Sequence, residues 1–233
     1  MCLCVSVFSN ARPRRAVKNT EEPNTYARLM VEIGNQDARS RVLMTKHHID
    51  AQTIDACQRG DSDAFRQVFE AYKDRVYSIA LCFFNGNEAT AKDITQDVFL
   101  KLMTTMSQFQ KRSEFSTWLY RLVTNACLDR KRQLRRFLSF VGTSELDLPD
   151  RCGSVEHRYM QREIEKSVRK VIAGMKPKLR LTVLLKYFED LSYDEIAIVL
   201  GCSTGTVASR LNRAHLILAR KLAHFRDAFR SGE

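Results

Sequence analysis

Residues 191–214 read LSYDEIAIVLGCSTGTVASRLNRA, and they contain the clearest local signals for helices and a turn in the chain. Ser192 and Glu195 have the spacing of a capping box, in which each side chain accepts a hydrogen bond from a backbone amide at the start of a helix. The apolar residues between and after them predict a helix of two turns, from Tyr193 to Leu200.

A turn and a second helix follow this capping box. Gly201 permits the left-handed backbone that a tight turn requires, and Ser203 or Thr204 is placed to cap the next helix. Val207 and Leu211 lie four residues apart and can anchor that helix on the first one. The short helix, the turn and the longer helix together predict a helix-turn-helix unit.

The second helix of this unit presents polar side chains of the types that contact phosphates and base edges in a major groove. The candidate residues are Ser203, Thr204, Thr206, Ser209, Arg210 and Arg213. No acidic residue occurs from Ile196 to Arg226, although arginine and lysine recur there. The alternative interpretation is a solvated basic face on a plain helical hairpin.

The composition of the whole chain agrees with a helical fold. Only nine glycines and four prolines occur in 233 residues, which favours an all-α protein over a turn-rich β sandwich or barrel. The formal net charge of +11 suggests a polyanionic partner, either nucleic acid or acidic lipid. No apolar run is long enough for a transmembrane helix, and the first charges follow the N-terminal apolar stretch instead of preceding it. We therefore expect a cytoplasmic protein without membrane insertion.

Apolar residues recur at spacings of three and four from Ile49 onwards and predict a series of helices. Breaks at residues 60–62, 85–87 and 110–114 divide the first part of this series. One predicted helix runs over residues 88–109, and Ser116 is the predicted cap of the next.

Charge and periodicity together predict two small helical domains joined by a flexible linker. Residues 1–49 lack a helical period and form a poorly ordered extension, for which Met44 is an alternative start. The first domain spans residues 50–136, the linker 137–158, and the second domain 159–229, which contains the helix-turn-helix unit.

Two further patches in the first domain have candidate roles. Asp93, Gln96 and Asp97 form a polar face that would repel DNA, so this face is either solvated surface or a docking site for a basic protein. Aromatic residues interleave with cations further along, which suits unstacked single-stranded bases because the rings stack on them and the cations pair with phosphates. The alternative is an aromatic stripe in the core, with Trp118 at least half buried and the exposed candidates in residues 107–115.

Nothing in the sequence predicts catalysis. The phosphate-binding, zinc-protease and nucleophile-elbow patterns are absent, and the seven cysteines are scattered without a CxxC pair. Asp93 and Asp97 lie four apart without another metal ligand near in the sequence. We predict no catalytic residue, no metal and no cofactor.

Several segments in this order resemble the extracytoplasmic-function (ECF, group 4) sigma factors of bacterial RNA polymerase, members of the sigma-70 family. They are DAFRQVFEAYKDRVYSIAL, DITQDVFLKL, FSTWLYRLVTNACLD and LSYDEIAIVLGCSTGTVASRLNRA. The resemblance covers about residues 50–226. It implies a region 2 helical bundle and a region 4 helix-turn-helix domain, in a subunit without catalytic activity that directs promoter-specific transcription initiation.

The resemblance also implies partners and roles. Core RNA polymerase would be bound through the clamp coiled coil of its largest subunit and through its flap, and an anti-sigma factor is an expected partner. The implied core-binding residues are Asp93, Gln96, Asp97 and Phe99. The implied −10 DNA-binding residues are Phe109, Lys111, Arg112, Phe115, Trp118, Arg121 and Asn125. The candidates on the second helix of the helix-turn-helix unit would read the −35 element.

The sequence departs from the family pattern at two positions of region 4. Ala208 stands where many members have arginine or lysine, and Ser203 replaces a frequent proline, so the −35 sequence does not follow from this chain. Two other hypotheses stay open from the residues alone. One is a free-standing helix-turn-helix regulator that never joins the polymerase, and the other is a nuclease or nucleotide-processing enzyme that requires Asp93 or Asp97.

Overall fold

The structure is a computed structural model that describes residues 49–141 and 159–223. These ranges form α-helices and one 3-10 turn, Met106–Gln108, without a strand among the described residues. The helices are α1 (Ala51–Gln58), α2 (Ser62–Phe83), α3 (Glu88–Thr105), α4 (Phe115–Val141), α5 (Tyr159–Ala173), α6 (Pro177–Tyr187), α7 (Tyr193–Leu200) and α8 (Thr204–Lys221). The predicted all-α fold is confirmed, and no helix of the described ranges is long and apolar enough to cross a membrane.

Three boundaries differ from the sequence-based prediction. The helix predicted over residues 88–109 ends at Thr105 and continues as the 3-10 turn. Ser116 is not a cap, because α4 begins at Phe115. Residues 137–141 are helical although they were assigned to the linker, since no glycine or proline interrupts α4 before Gly142. The predicted extension, except Ile49, and residues 142–158 of the linker lie outside the described residues.

The first helical unit is a bundle in which α1 and the long helices α2, α3 and α4 pack together. Its centre holds side chains that are almost fully buried, among them Val68, Val76 and Ile79 of α2, Leu102 of α3 and Leu119 of α4. With the buried Tyr72, the α2 residues recur at spacings of four, four and three, which explains why this sequence forms an amphipathic helix.

The second unit contains the helix-turn-helix pair α7 and α8, and it matches the sequence prediction closely. Ser192 and Glu195 form both bonds of the capping box, and Gly201 ends α7 with a left-handed φ of 58°. Ser203 caps α8 by accepting a hydrogen bond from the Thr206 amide at 3.2 Å. Val207 and Leu211 are buried between the two helices, as predicted.

The two units share one continuous core. Helix α6 is buried on all sides from Leu179 to Leu185 and packs against α2 as well as against α7 and α8. Helix α7 in turn packs on α4. The buried Arg180 donates a hydrogen bond to the Phe83 carbonyl at 2.5 Å, with its guanidinium 5.3 Å from the Phe83 ring centre. In this state the helix-turn-helix unit therefore lies directly against the first bundle.

A polar chain crosses the same boundary. The Tyr120 hydroxyl on α4 donates to the Glu189 carboxylate at 2.5 Å, and Arg75 of α2 donates to the Tyr120 oxygen at 3.3 Å. Burial raises the pKa of Glu189 from 4.5 to about 7, although the Tyr120 hydrogen bond and the Arg75 charge act in the opposite direction. Near pH 7 this carboxyl group is therefore about half protonated.

The Glu189 carboxyl group should make the stability of the chain depend on pH. Its raised pKa means that the folded chain holds a proton that the unfolded chain releases. The contribution of this proton to the free energy of unfolding is complete below pH 4.5 and is lost as the pH rises through about 7. Glu189→Gln should therefore stabilise the chain at pH 8, by about 1–3 kcal/mol, and change little at pH 5. Urea denaturation from pH 5 to 8 measures this difference. Asp190→Asn, at the exposed neighbouring position, is the control, and parallel pH profiles for Glu189→Gln and the parent would contradict the prediction.

Candidate functional site

The outward surface of α8 contains most of the predicted −35 residues. Thr204, Ser209 and Arg213 are exposed and form the recognition surface. Ser203 is also exposed, but its hydroxyl already caps α8 and lies 2.9 Å from the Thr206 hydroxyl. The Ser209 hydroxyl donates to the Thr206 carbonyl at 3.0 Å, so Thr204 and Arg213 remain the best placed to meet an external ligand.

Arg210 differs from the other candidates of α8. It is partly buried, and its Nη1 donates to the Cys202 sulfur at 3.6 Å, which turns the side chain back toward the turn between α7 and α8. Ala208 is exposed near the middle of the recognition surface and offers only a methyl group there. Such a position can contact the methyl group of thymine but cannot bind a phosphate.

The aromatic residues of the predicted −10 site are partly in the core. Phe109 is 6% exposed and Phe115 is 5% exposed, so the expectation of exposed rings at these two positions is wrong. The cause is their mutual packing, because the two rings meet edge to face with centres 5.7 Å apart. Trp118 is partly buried, as expected, and its ring centre lies 5.1 Å from that of Phe109. The two phenylalanines can support Trp118 but cannot stack on a base themselves.

The accessible part of this site is one face of α4. Trp118, Arg121 and Asn125 follow each other at spacings of three and four and therefore share a face, on which Arg121 and Asn125 are exposed. We call these three residues the strand-capture face. Lys111 and Arg112 are exposed on the loop that precedes α4. The arrangement provides an aromatic edge, an amide and cations, which are the groups that hold an unstacked base and its phosphate.

Two residues of α1, which no local sequence pattern indicates, reach this loop. The Gln58 side-chain amide donates to the Phe109 carbonyl at 2.7 Å and to the Met106 carbonyl at 3.3 Å. Asp55 forms an ion pair with Lys111. The partners lie 48 to 56 residues apart in sequence, so no local pattern could have indicated these contacts.

The polar face of α3 is exposed at Asp93, Gln96 and Asp97, and we call it the acidic face. Asp93 pairs with Arg130 of α4 at 2.5 Å. Phe99 does not belong to the exposed face, because it is 5% exposed and packs against Phe69 with ring centres 4.8 Å apart. This burial leaves little Phe99 surface for the direct polymerase contact that the resemblance implies, and that contact stays a prediction.

An apolar groove adjoins the acidic face, and the sequence analysis did not predict it. Leu100 is 56% exposed and Met103 is 64% exposed at its edge, although both are large apolar residues. The groove has a volume of about 380 Å³, and its lining includes Phe65, Phe69, Tyr77, Gln96 and Phe99 in addition to these two. Two apolar residues on the polar side of α3 were the sequence signal that could have indicated this groove. An apolar groove beside acidic side chains suits a basic helix that also presents apolar residues.

The cysteines of the described residues do not cluster into a metal-binding group. Cys127 is buried, and burial raises its pKa to about 12, which keeps the thiol protonated at neutral pH. No group of three or more histidine, cysteine, aspartate or glutamate side chains in the described ranges could hold a metal ion.

Comparison with known proteins gives matches in both units. Residues 68–137 match the family model for sigma-70 region 2, and residues 165–216 match the model for sigma-70 region 4. The ECF RNA polymerase sigma factor SigW of Bacillus subtilis is 32% identical over 178 residues, which cover 72% of this chain and 94% of SigW. The RNA polymerase sigma-H factor of Pseudomonas aeruginosa is 31% identical over 182 residues, which cover 74% of this chain and 93% of that relative.

Solved structures resemble the fold. The sigma factor RpoE from Bartonella quintana, solved with the anti-sigma factor NepR, has a TM-score of 0.54 and 22% identity. The match covers 68% of this chain and 96% of RpoE. CnrH, solved with the cytosolic domain of CnrY, has a TM-score of 0.54 and 21% identity over 74% of this chain and 96% of CnrH. At these identities the structural matches establish a shared fold.

Proposed function

Because this chain belongs to the ECF sigma factors of the sigma-70 family, we propose that separate surfaces of the chain bind the polymerase, the −10 element and the −35 element. The chain directs RNA polymerase to promoters and has no catalytic role of its own. The proposed boundaries are region 2 over residues 50–141, a linker over 142–158, and region 4 over 159–229. The acidic face with the apolar groove binds the polymerase, the strand-capture face binds the −10 element, and the recognition surface binds the −35 element.

The polymerase-binding assignment rests on an exposed carboxylate beside an apolar groove. Asp97 and Gln96 face solvent on α3, and Leu100 and Met103 expose apolar surface along the edge of the groove. Isolated apolar residues on a surface need no explanation, but a lined groove with a charged rim is typical of a protein-binding site. The proposed ligand is the clamp coiled coil of the largest polymerase subunit.

The −10 assignment rests on the strand-capture face. Trp118 has buried phenylalanines beneath it, so its accessible edge is held in a fixed position. A flipped base needs such a rigid platform, because extrusion from the duplex costs a few kcal/mol that stacking and hydrogen bonds must offset. Asn125 supplies an amide for a base edge, and Arg121 supplies a cation for the adjoining phosphate.

The −35 assignment gives a prediction for two arginines of α8. Arg213→Ala should weaken binding of the polymerase complex to promoter DNA because Arg213 is exposed on the recognition surface. A phosphate contact would lower the salt slope by about one, whereas a base contact would cost about 1–3 kcal/mol and relax specificity at one base pair. Arg210→Ala should have a smaller effect, since Arg210 is turned toward Cys202. Fluorescence anisotropy at several salt concentrations measures both changes.

The matched control for these variants is Arg220→Ala. Arg220 is exposed in the last turn of the same helix, about 10 Å along the axis from Arg213, and lies beyond the part of a recognition helix that enters the groove. Unchanged DNA binding by both Arg210→Ala and Arg213→Ala would show that α8 does not read the −35 element.

The solved relatives support the proposal of an anti-sigma partner. The sigma factor RpoE, which has the same fold, was solved with the anti-sigma factor NepR bound, and CnrH was solved with the cytosolic domain of CnrY. We assign the same class of partner to this chain.

The experiment that tests the proposed function uses the full chain and purified core polymerase. Size-exclusion chromatography should give one complex, and only this complex should bind a promoter probe whose −10 non-template strand is single-stranded. Specific duplex binding by the chain alone, without co-elution, would instead indicate a free-standing regulator.

A further inference from the structure

Helix α1 ends before the residues that match region 2, yet it contacts the loop that leads to the strand-capture face. The family model begins at residue 68, whereas α1 spans Ala51–Gln58. Gln58 binds the carbonyls of Met106 and Phe109, and Asp55 pairs with Lys111. These contacts fix both ends of a short segment at residues 106–111.

We propose that Gln58 and Asp55 are positioning residues for capture of the −10 strand, acting through this loop. The inference rests on the proposed function, because it concerns the same strand-capture face. It adds α1, which lies within the proposed region 2 but precedes the residues that the family model matches, to the parts of the chain that read the promoter.

The shorter Gln58 contact is made to the Phe109 carbonyl, which follows the 3-10 turn and lies 2.7 Å from the Gln58 amide nitrogen. The Met106 carbonyl already accepts the Phe109 backbone amide at 3.1 Å, and Gln58 adds a second, longer hydrogen bond of 3.3 Å to it. The single amide group of Gln58 has two N–H donors, which matches these two acceptors. The Gln58 side chain therefore sets where the chain leaves α3 and where Phe109 lies.

Phe109 transmits this position to the strand-capture face. Its ring centre is 5.1 Å from that of Trp118 and 5.7 Å from that of Phe115. Because Phe109 and Phe115 are buried, a shift of the Phe109 backbone must move the packed rings together. Trp118 would then no longer present its edge at the position that a flipped base requires.

The Asp55 contact acts on the other end of the segment. Lys111 has a left-handed φ of 53°, a conformation that residues other than glycine rarely adopt. Asp55 and Lys111 are both partly exposed, at 41% and 47%, so their ion pair adds little to overall stability. Its effect is on the path of the loop, because it holds the Lys111 ammonium beside α1 and keeps the loop bent toward the strand-capture face.

Both contacts reduce the conformational freedom that strand binding would otherwise remove. A loop that is ordered before binding loses less conformational entropy when the strand binds. More of the free energy of its contacts then contributes to affinity and to base discrimination. We therefore expect Gln58 and Asp55 to affect −10 binding while the acidic face and the recognition surface work normally.

The test uses holoenzyme assembled from core polymerase and the full chain carrying Gln58→Met. Methionine keeps the length of glutamine and removes both donors. The probe is a promoter fork with a single-stranded −10 non-template strand, taken from a transcription start mapped on the genomic DNA of the source organism. We expect about a 10-fold weaker affinity for this probe, a smaller preference for the cognate base at the captured position, and an unchanged affinity for core polymerase.

Gln52→Met is the matched control, because Gln52 is exposed on the same helix. Asp55→Asn is the second variant and should weaken probe binding about threefold. The thermal midpoint and circular dichroism of each variant report whether the fold is kept. A general structural defect would lower core binding and probe binding together, which would overturn the positioning role.

The remaining outcomes distinguish a failure of the proposed function from a failure of the role of α1. If the parent holoenzyme does not bind the single-stranded probe, the proposed function fails before the role of α1 is reached. If the parent binds the probe, and folded Gln58→Met and Asp55→Asn bind it with the same affinity and base preference, the role of α1 is overturned. Loss of probe binding and base preference at constant core affinity supports it.

Discussion

Asp97→Lys is expected to weaken binding of core polymerase by at least about 100-fold, without unfolding the chain. Asp97 is exposed in the middle of α3 and follows Gln96 at the rim of the apolar groove. A lysine there would place a cation against the basic helix that the acidic face is proposed to bind. Desolvated charge pairs at interfaces have measured couplings of about 1.5–7 kcal/mol, and reversal of one charge adds repulsion to the loss of attraction.

The measurement is co-elution with core polymerase, followed by a titration that gives Kd. Asp74→Lys is the matched control, because it makes the same change of charge at an exposed position on α2. Asp93 is a less suitable target, since Arg130 already pairs with it at 2.5 Å and a substitution would also disturb α4. Equal Kd values for Asp97→Lys and the parent would show that the polymerase does not bind this face.

Assembly with polymerase and promoter is expected to separate the two helical units by several tens of ångströms. One buried cluster joins the two units and a second one lies within the second unit, and a compact body of this size is about 40 Å across. Elements centred at −10 and −35 are about 25 base pairs apart, which is about 85 Å along B-form DNA. The packed state therefore cannot place α4 and α8 on both elements of a straight duplex at once. The contacts of Arg180 with Phe83 and of Tyr120 with Glu189 must break.

Single-molecule energy transfer between dyes at Arg66 of α2 and Lys170 of α5 measures this separation. Both positions are exposed, and a genetically encoded azide is preferable to thiol labelling because the chain has seven cysteines. The free chain should show high transfer efficiency and the promoter complex low efficiency. A dye pair within the first unit, at Arg66 and Ala89, should not change. High efficiency for the first pair in an active promoter complex would show that the units stay packed.

The parts of the fold that were predicted correctly have local causes. Ser192, Glu195 and Gly201 define the helix-turn-helix unit within ten residues, and the structure contains the capping box and the left-handed turn at those positions. Asp61 likewise caps α2, because its side chain accepts hydrogen bonds from the backbone amides of Asp63 and Ala64. Such signals act between near neighbours in sequence, so a single sequence contains them.

The parts that were missed depend on packing between distant segments. The apolar residues of α6 predict a helix, but its burial on every side follows only from its place between α2, α7 and α8. From the sequence alone, Phe109 and Phe115 are equally compatible with a nucleic-acid site and with the core. Their packing against Trp118 shows that they belong to the core. The Gln58 contacts join residues about 50 positions apart, for which the sequence holds no signal.

The most direct test of the account is transcription in vitro with core polymerase, the full chain and fragmented genomic DNA of the source organism. Transcript starts are mapped with and without the chain. We expect discrete starts that require the chain, share one pair of −10 and −35 sequences, and disappear with Asp97→Lys but not with Asp74→Lys. An identical set of starts in the absence of the chain would show that the chain does not direct initiation.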